Sequence, residues 1–288
     1  MLVIIGWIVA LASVFGAFVA AGGHLASLFQ PLELVMIGGG ALGAFMAANG
    51  AKGMKSFVSA MPGVFKGSKY TKAFYMELLA LLFEILNKVR REGLMSIEPD
   101  VENPEESALF AKYPAIQSDH HLIEFIADYL RLMVGCNLNA LEIENLMDAE
   151  IETHHHEGMG PAHAVQRMAD GMPAFGIVAA VMGVVHTMES LHLPPTELGV
   201  LIAHALVGTF LGILLSYGFV SPVSTAMEIK VEENGKVLQA VKTVILASLN
   251  GFSPQVCVEF GRKVLYSTER PTFLELEDDI KARKAAGK

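Results

Sequence analysis

Two long stretches of this 288-residue sequence contain no lysine or arginine: residues 1–51 and residues 168–229. All 21 basic residues lie elsewhere, eleven between Lys52 and Arg167 and ten between Lys230 and Lys288. Soluble folds seldom clear basic residues from stretches that long. Charge is scarce overall, at 18% of residues where an ordinary soluble domain carries roughly 25%, and hydrophobic residues reach 52%. That balance excludes a disordered, collagen-like or coiled-coil protein and argues against an ordinary cytosolic enzyme. Cysteine is almost missing: Cys136 and Cys257 form no CxxC spacing and no disulfide framework, and both read as inert buried thiols. The net charge of −9 leaves no basic face for a nucleic acid. The chain has no HExxH, and Gly38-Gly39-Gly40 lacks the following Lys-Ser/Thr of a nucleotide loop. No Ser-His-Asp set or paired carboxylate shows in the local spacing. The expectation is no catalytic residue, no metal site, no cofactor and no nucleic-acid partner.

What the basic-free zones contain is apolar. Leu2–Gly22 is 21 residues without charge, and Leu34–Asn49 is 16 residues preceded by Glu33. Pro173–Met188 and Leu198–Val220 are the third and fourth runs. A hydrocarbon core about 30 Å thick needs roughly 20 helical residues. The first and fourth runs meet that length. The second and third meet it when Pro31–Glu33 and Glu189–Leu191 join them. The sequence therefore predicts four transmembrane helices, the competing reading being buried core helices. A cleavable signal peptide fits residues 1–22 poorly, because no basic residue precedes the run and the run is too long. The short links near 23–32 and 192–197 carry no basic residue, whereas the long segments carry all of them. The positive-inside rule then places both long segments and both termini in the cytoplasm. The expected class is an all-α membrane protein: transmembrane helices 1 and 2 in residues 1–50, a helical cytoplasmic domain in 51–170, helices 3 and 4 in 171–222, and a cytoplasmic helical extension and tail in 223–288.

Inside the polar segments, Phe74, Leu78, Leu81, Leu82, Ile85 and Val89 recur at helical spacing over Lys72–Arg91, and Gly93 follows as a stop. Met95–Glu106, with Pro99 and Pro104, reads as irregular. Leu122–Val134 and Ala140–Glu152 read as two amphipathic helices separated by a turn at Gly135–Asn139. Val223–Leu249 continues helically after Pro222. The tail from about Glu275 reads as frayed.

The histidines His120-His121 and His154-His155-His156 point in different directions on a helix and read as a solvated polar run. Gly39 and Gly43 make a GxxxG face for another helix. Gly176, Ala180, Gly183 and Thr187 form one small or polar stripe; His204, Gly208, Gly212 and Ser216 form a second, beside Ala205 and Thr209. Such stripes serve helix packing or line a path, and the Thr209 hydroxyl either bonds back to its own helix or faces a wet route. The acids of residues 1–51 and 171–220 are Glu33, Glu189 and Glu197, all near the expected span ends. An ion crossing the bilayer needs an ionisable or coordinating group near the middle. The expectation is that a partner supplies it, with His204 close to the outer end. Pro173 and Pro222 are read as opening the third span and closing the fourth, with a hinge as the functional alternative.

Three runs carry a family resemblance: Pro173-Ala-Phe-Gly-Ile-Val-Ala-Ala-Val-Met-Gly-Val-Val-His186, Ala203-His-Ala-Leu-Val-Gly-Thr-Phe-Leu-Gly212 and Tyr217-Gly-Phe-Val-Ser-Pro222. With Arg90-Arg-Glu-Gly93, Ser96-Ile-Glu98 and Glu102-Asn-Pro104 they resemble the MotA family, the larger membrane subunits of bacterial flagellar stators. The resemblance spans nearly the whole chain. It implies a homo-oligomer, a pentamer, in the inner membrane around a MotB-type single-span subunit that carries the membrane aspartate. Ion passage would turn that ring against the rotor protein FliG. It implies rotor contacts at Arg90 and Glu98, torque coupling at Pro173 and Pro222, and an ion path lined by Ala180, Thr209 and Tyr217. Gly176, Gly183, Gly208 and Gly212 would pack the helices. Sodium-driven relatives carry threonine where this chain has Ala180, which favours H⁺ over Na⁺. The related ExbB/TolQ energisers of outer-membrane processes, and a sodium-driven stator, are the alternatives. A reporter enzyme fused after residue 288 is expected to read as cytoplasmic; a periplasmic signal rejects the topology.

Overall fold

The computed structural model describes residues 2–136 and 138–286. Among these residues there is no strand. The helices are α1 (Leu2–Ala20), α2 (Pro31–Phe65), α3 (Lys72–Glu92), α4 (Glu98–Glu102), α5 (Pro114–Gln117), α6 (His120–Gly135), α7 (Ala140–Glu189), α8 (Pro195–Ile213), α9 (Ser221–Leu249), α10 (Pro254–Val264) and α11 (Phe273–Ala286). Four stretches are long and apolar enough to cross a bilayer: Leu2–Ala20, Leu25–Phe65, Ala140–Glu189 and Pro195–Leu249. The chain is an all-α membrane protein. It divides into two compact units, Met1–Gly67 with Glu157–Val231 and Ser68–His156 with Glu232–Lys288. The divisions fall within α7 and α9.

In the first, apolar unit, α1 buries no residue against the rest of the chain. It touches through Val3 and through rings: Trp7 stands 5.9 Å from Phe65 and 5.7 Å from Phe219, and Phe15 stands 6.2 Å from Phe210. Helix α2 starts on Pro31, whose missing N–H costs nothing in a first turn. It bends sharply at Gly50, where φ 59 and ψ −169 exclude a side chain. Ile37, Ala41 and Phe45 recur every fourth residue and form its buried face. Gly40 takes the Phe175 ring against its backbone, whereas Gly39 and Gly43 meet nothing in this chain.

Helix α7 runs unbroken for 50 residues through Pro161 and Pro173. Pro173 therefore lies inside a helix and does not open one. Its φ is already helical, and packed turns on both sides offset the one lost hydrogen bond. Nor does a helix end at Pro222, in keeping with the helical continuation expected over Val223–Leu249. Helix α8 passes into a wide π-helical turn, Leu214–Val220, and then into α9, where Pro222 takes the second position. A missing N–H is tolerated there, and the wider turn absorbs the change of register.

The second unit is built around a large buried hydrophobic core. Thr71 Oγ1 accepts from the Phe74 N–H to start α3, and Gly93, at φ 88, ends it. Leu78, Leu79, Leu81, Leu82 and Ile85 are buried along it, beside Ile123, Phe125, Ile126 and Leu130 of α6 and Val241 and Val244 of α9. The segment expected to be irregular contains a 3₁₀ turn at Leu94–Ile97 and α4, pinned by buried Ile97 and Val101. The tail is no frayed end: α11 packs on α3 and buries Leu276. Thr272 and Glu275 cap it reciprocally, the Thr272 N–H donating to Glu275 at 2.7 Å. Lys72 and then Thr272 hold the Glu275 carboxyl down to about 2. Cys257 is buried, but Cys136 is exposed, so the expectation of two buried thiols holds for Cys257 only. The turn residue Asn137 and the last two residues of the tail lie outside the described residues.

Two glycines test this packing in opposite directions. A methyl on Gly261 would collide with Val244 and approach Leu79 to 3.2 Å, so Gly261→Val is expected to lower unfolding stability in detergent by about 1–3 kcal/mol. Gly235, in mid-α9 with open space around it, should gain roughly 0.5–1 kcal/mol on change to Ala. Thermal unfolding of both variants measures the two signs.

Candidate functional site

The apolar unit contains a backbone-to-backbone seam between α7 and α8. A methyl on Gly176 would lie 2.7 Å from the Gly208 carbonyl oxygen and 3.1 Å from the Gly212 Cα. On Gly212 it would lie 2.8 Å from the Met172 carbonyl oxygen, and on Gly183 it would lie 2.7 Å from the Ala205 Cβ. Small residues are what allow helices to approach this closely in lipid, where no hydrophobic force drives them together. The seam thus places Gly176, Gly183, Gly208 and Gly212 together. Ala180 and Thr209 flank it half-buried, and Tyr217, in the π-helical turn, is 62% exposed. All three keep surface that this chain does not cover. The buried Thr187 hydroxyl bonds back to the Gly183 carbonyl at 2.9 Å. Thr209 makes no side-chain hydrogen bond among the described residues. Pro173 and Pro222 are both half-buried, and Pro173 directly follows Met172, whose carbonyl meets Gly212.

Glu33, the third residue of α2, is 8% exposed, and one carboxylate oxygen presses on the Gly208 backbone within the α8 packing face. That oxygen has no hydrogen-bond partner. Position along α2 alone hides this, because α2 begins alongside the middle of α8 and not level with its first residue.

In the polar unit, Arg90 sits in the last turn of α3, where a cation complements the helix dipole. Glu98 opens α4. Both side chains are exposed, and neither forms an ion pair among the described residues. Their setting is rigid. Lys88, half-buried two residues before Arg90, bonds to Asp100 at 2.7 Å, and Ser107 Oγ donates to the other Asp100 oxygen at 2.6 Å. This staple fixes the start of α4 to the end of α3. It was missed from sequence, although an acid two residues beyond Glu98 and a lysine two residues before Arg90 are its visible trace.

The histidine run is only partly solvated. His156 pairs loosely with Glu152, but His154 turns inward and stacks on His121, ring centroids 4.3 Å apart. The two line a cavity of about 90 Å³ with Lys69, Tyr70, Asp119 and Asn234. Buried Asp119 accepts from Lys69 at 2.7 Å and from the Tyr70 hydroxyl at 3.1 Å. Burial, then that carboxylate, pushes the Tyr70 phenol well above its usual range. No group of three or more metal-ligating side chains occurs among the described residues.

A glycine-locked pair of spanning helices with uncovered small and hydroxyl residues beside it, joined to a helical polar lobe, defines a channel-type membrane subunit. Residues 4–93 match the motility protein A N-terminal family, and residues 117–240 match the MotA/TolQ/ExbB proton channel family. The chain is 53% identical to motility protein A of Salmonella typhimurium over 98% of its length and 96% of that protein. It is 52% identical to motility protein A of Escherichia coli, covering 99% and 96%. The fold is shared with the MotAB structure of C. jejuni, at TM-score 0.77 and 20% identity over 92% of this chain and 95% of that one. The flagellar MotAB stator complex of Bacillus subtilis matches at TM-score 0.73 and 24% identity, covering 89% and 92%. This chain belongs to the MotA/TolQ/ExbB proton channel family, in its motility protein A branch, and is a stator subunit of the flagellar motor.

If the Asp100 staple positions the two exposed charges, Asp100→Ala should reduce swimming speed severalfold and destabilise the lobe by about 1–3 kcal/mol through the unpaired Lys88. Asp100→Glu should restore part of both. Swim-speed tracking and thermal unfolding check this.

Proposed function

We propose that this chain sits in the bacterial inner membrane with both termini in the cytoplasm and assembles as a pentamer around a MotB-type single-span partner. The partner brings the membrane aspartate, H⁺ is the ion, and the complex turns its passage into torque on FliG. The work is transport and force generation, with no catalysis and no bound cofactor. Near full-length identity of 53% to a motility protein A carries this reading.

The physical steps follow from the two units taken separately. Moving one charge through about 100 mV releases roughly 2.3 kcal/mol, enough to bias a two-state equilibrium severalfold. Protonation neutralises the partner's carboxyl and lets it turn against an apolar wall. The uncovered flank at Ala180 and Thr209 offers that wall, and its lack of a threonine at 180 favours H⁺. Pro173 and Pro222 lack N–H donors, so their turns bend at lower cost than their neighbours, and they couple the shift to the lobe. At the rotor, Arg90 and Glu98 offer opposite charges held free of internal partners. Exposed pairs of this kind are worth about 0–1 kcal/mol each, which suits repeated attachment and release.

Deletion of the gene is expected to leave filaments in place and abolish swimming. In the complemented strain, Arg90→Glu or Glu98→Lys should slow swimming while proton flow persists, and the two changes together should lower torque further. Wild-type speed in the double variant removes the rotor-contact role. A strict dependence of speed on external Na⁺ removes the H⁺ assignment.

A further inference from the structure

The seam between α2 and α8 contains a buried carboxylate that the reading above does not use. Glu33 is at the third position of α2, and its side chain is more than nine-tenths buried. One of its oxygens lies against Gly208 and accepts no hydrogen bond. The same Gly208 backs onto Ala179 and Ala180 of α7: a methyl there would stand 3.1 Å from the Ala179 Cβ and 3.2 Å from the Ala180 nitrogen. This fixes the depth of the carboxylate. Arg167, which donates to Asn49 at 3.3 Å, marks one polar end of the α7 span, and Glu189 ends the helix. At about 1.5 Å per residue, Ala180 lies roughly 20 Å from Arg167 and roughly 14 Å from Glu189. In a hydrocarbon core about 30 Å thick, that is close to the middle.

An acid at that depth carries a high cost unless it has a function or a proton. Its titratable neighbour on α8 is His204, one turn before Gly208. On α7, the atoms nearest that point belong to Ala179 and Ala180. The turn Leu25–Leu28 and helix α1 contain no ionisable residue, and His24, which caps the turn, is exposed. Glu33 and His204 thus both lie on apolar stretches of α2 and α8, with His204 nearer the Pro195 end of α8. The glycine at 208 leaves space for the carboxyl, and any larger residue would fill it.

We propose that Glu33 is a proton-binding site belonging to this chain, with His204 as the neighbour that a proton arriving from the Pro195 side of α8 meets first. The proton adds to a Glu33 oxygen and leaves it neutral; its release restores the carboxylate, and no other bond changes. The pair places a proton stop in the same membrane layer as Ala180. Its role in torque rests on the stator reading, but its existence as a site does not.

A hydrophobic carbodiimide adds only to a protonated carboxyl in an apolar setting, which makes it the probe. Membrane vesicles containing the full chain with its partner are treated across a pH series, and the peptide carrying Glu33 is followed by mass spectrometry. The expected result is an adduct on Glu33 whose rate of formation falls about tenfold per pH unit above its midpoint. Glu33→Gln should remove that adduct at normal membrane abundance and slow swimming severalfold, and Glu33→Asp should retain part of both. Three results overturn the proposal: no Glu33 adduct while another carboxyl in the same sample is modified, modification independent of pH, or protection by Na⁺ at constant pH. Absence of the adduct in cells whose swimming still needs this chain rejects the site and leaves the stator reading standing. A pH-dependent adduct in cells whose swimming does not need it supports the site and rejects the stator reading.

Discussion

The contact between α7 and α8 at Gly176, Gly208 and Gly212 is the constraint on which the apolar unit depends. Lipid is as apolar as leucine, so the helices gain nothing by hiding hydrophobic surface from it. Close van der Waals contact and polar groups with no better partner are what remain to hold them. The glycines supply the first by letting the Gly208 carbonyl, the Gly212 Cα and the Met172 carbonyl approach within contact distance of the facing backbone. Glu33 does not supply the second: its carboxylate stands where a side chain on residue 208 would, with one oxygen unsatisfied. Everything at the flank, including Ala180 and Thr209, is positioned by that seam.

The polar unit obeys a different solvent. There, water drives burial, at roughly 25 cal/mol per Å² of apolar surface, and the leucine-rich face of α3 packs against α6, α9, α10 and α11. Charges are stationed on the outside and tied down where position matters. Lys88 and Asp100 form such a tie, and the charges they hold in place, Arg90 and Glu98, keep their own ends unpaired.

Buried polar groups mark where the two regimes meet function. Ser224 is fully buried and satisfied, its hydroxyl donating to the Ala162 carbonyl at 2.8 Å. Ser216 and Glu33 are buried with an unsatisfied oxygen. A group such as Ser224 stabilises; a group such as Glu33 costs stability and is retained in a low-dielectric setting for another reason.

The sequence by itself determined the class of protein. Placement of lysine and arginine is a property of solvent, and clearing them from residues 1–51 and 168–229 leaves only lipid-length helices as an outcome. Family membership was equally legible, because the glycine and proline spacings of residues 173–222 are local. Tertiary structure alone decided the rest. Whether Pro173 begins a helix or lies within one depends on the packing of turns on both sides. Whether His154 faces water depends on His121, more than thirty residues away in the chain. That Glu33 is buried against Gly208 is invisible in sequence, because position along a single helix says nothing about how far that helix is displaced against its neighbour. Depth and burial belong to pairs of elements, and a periodicity read along one of them cannot contain either.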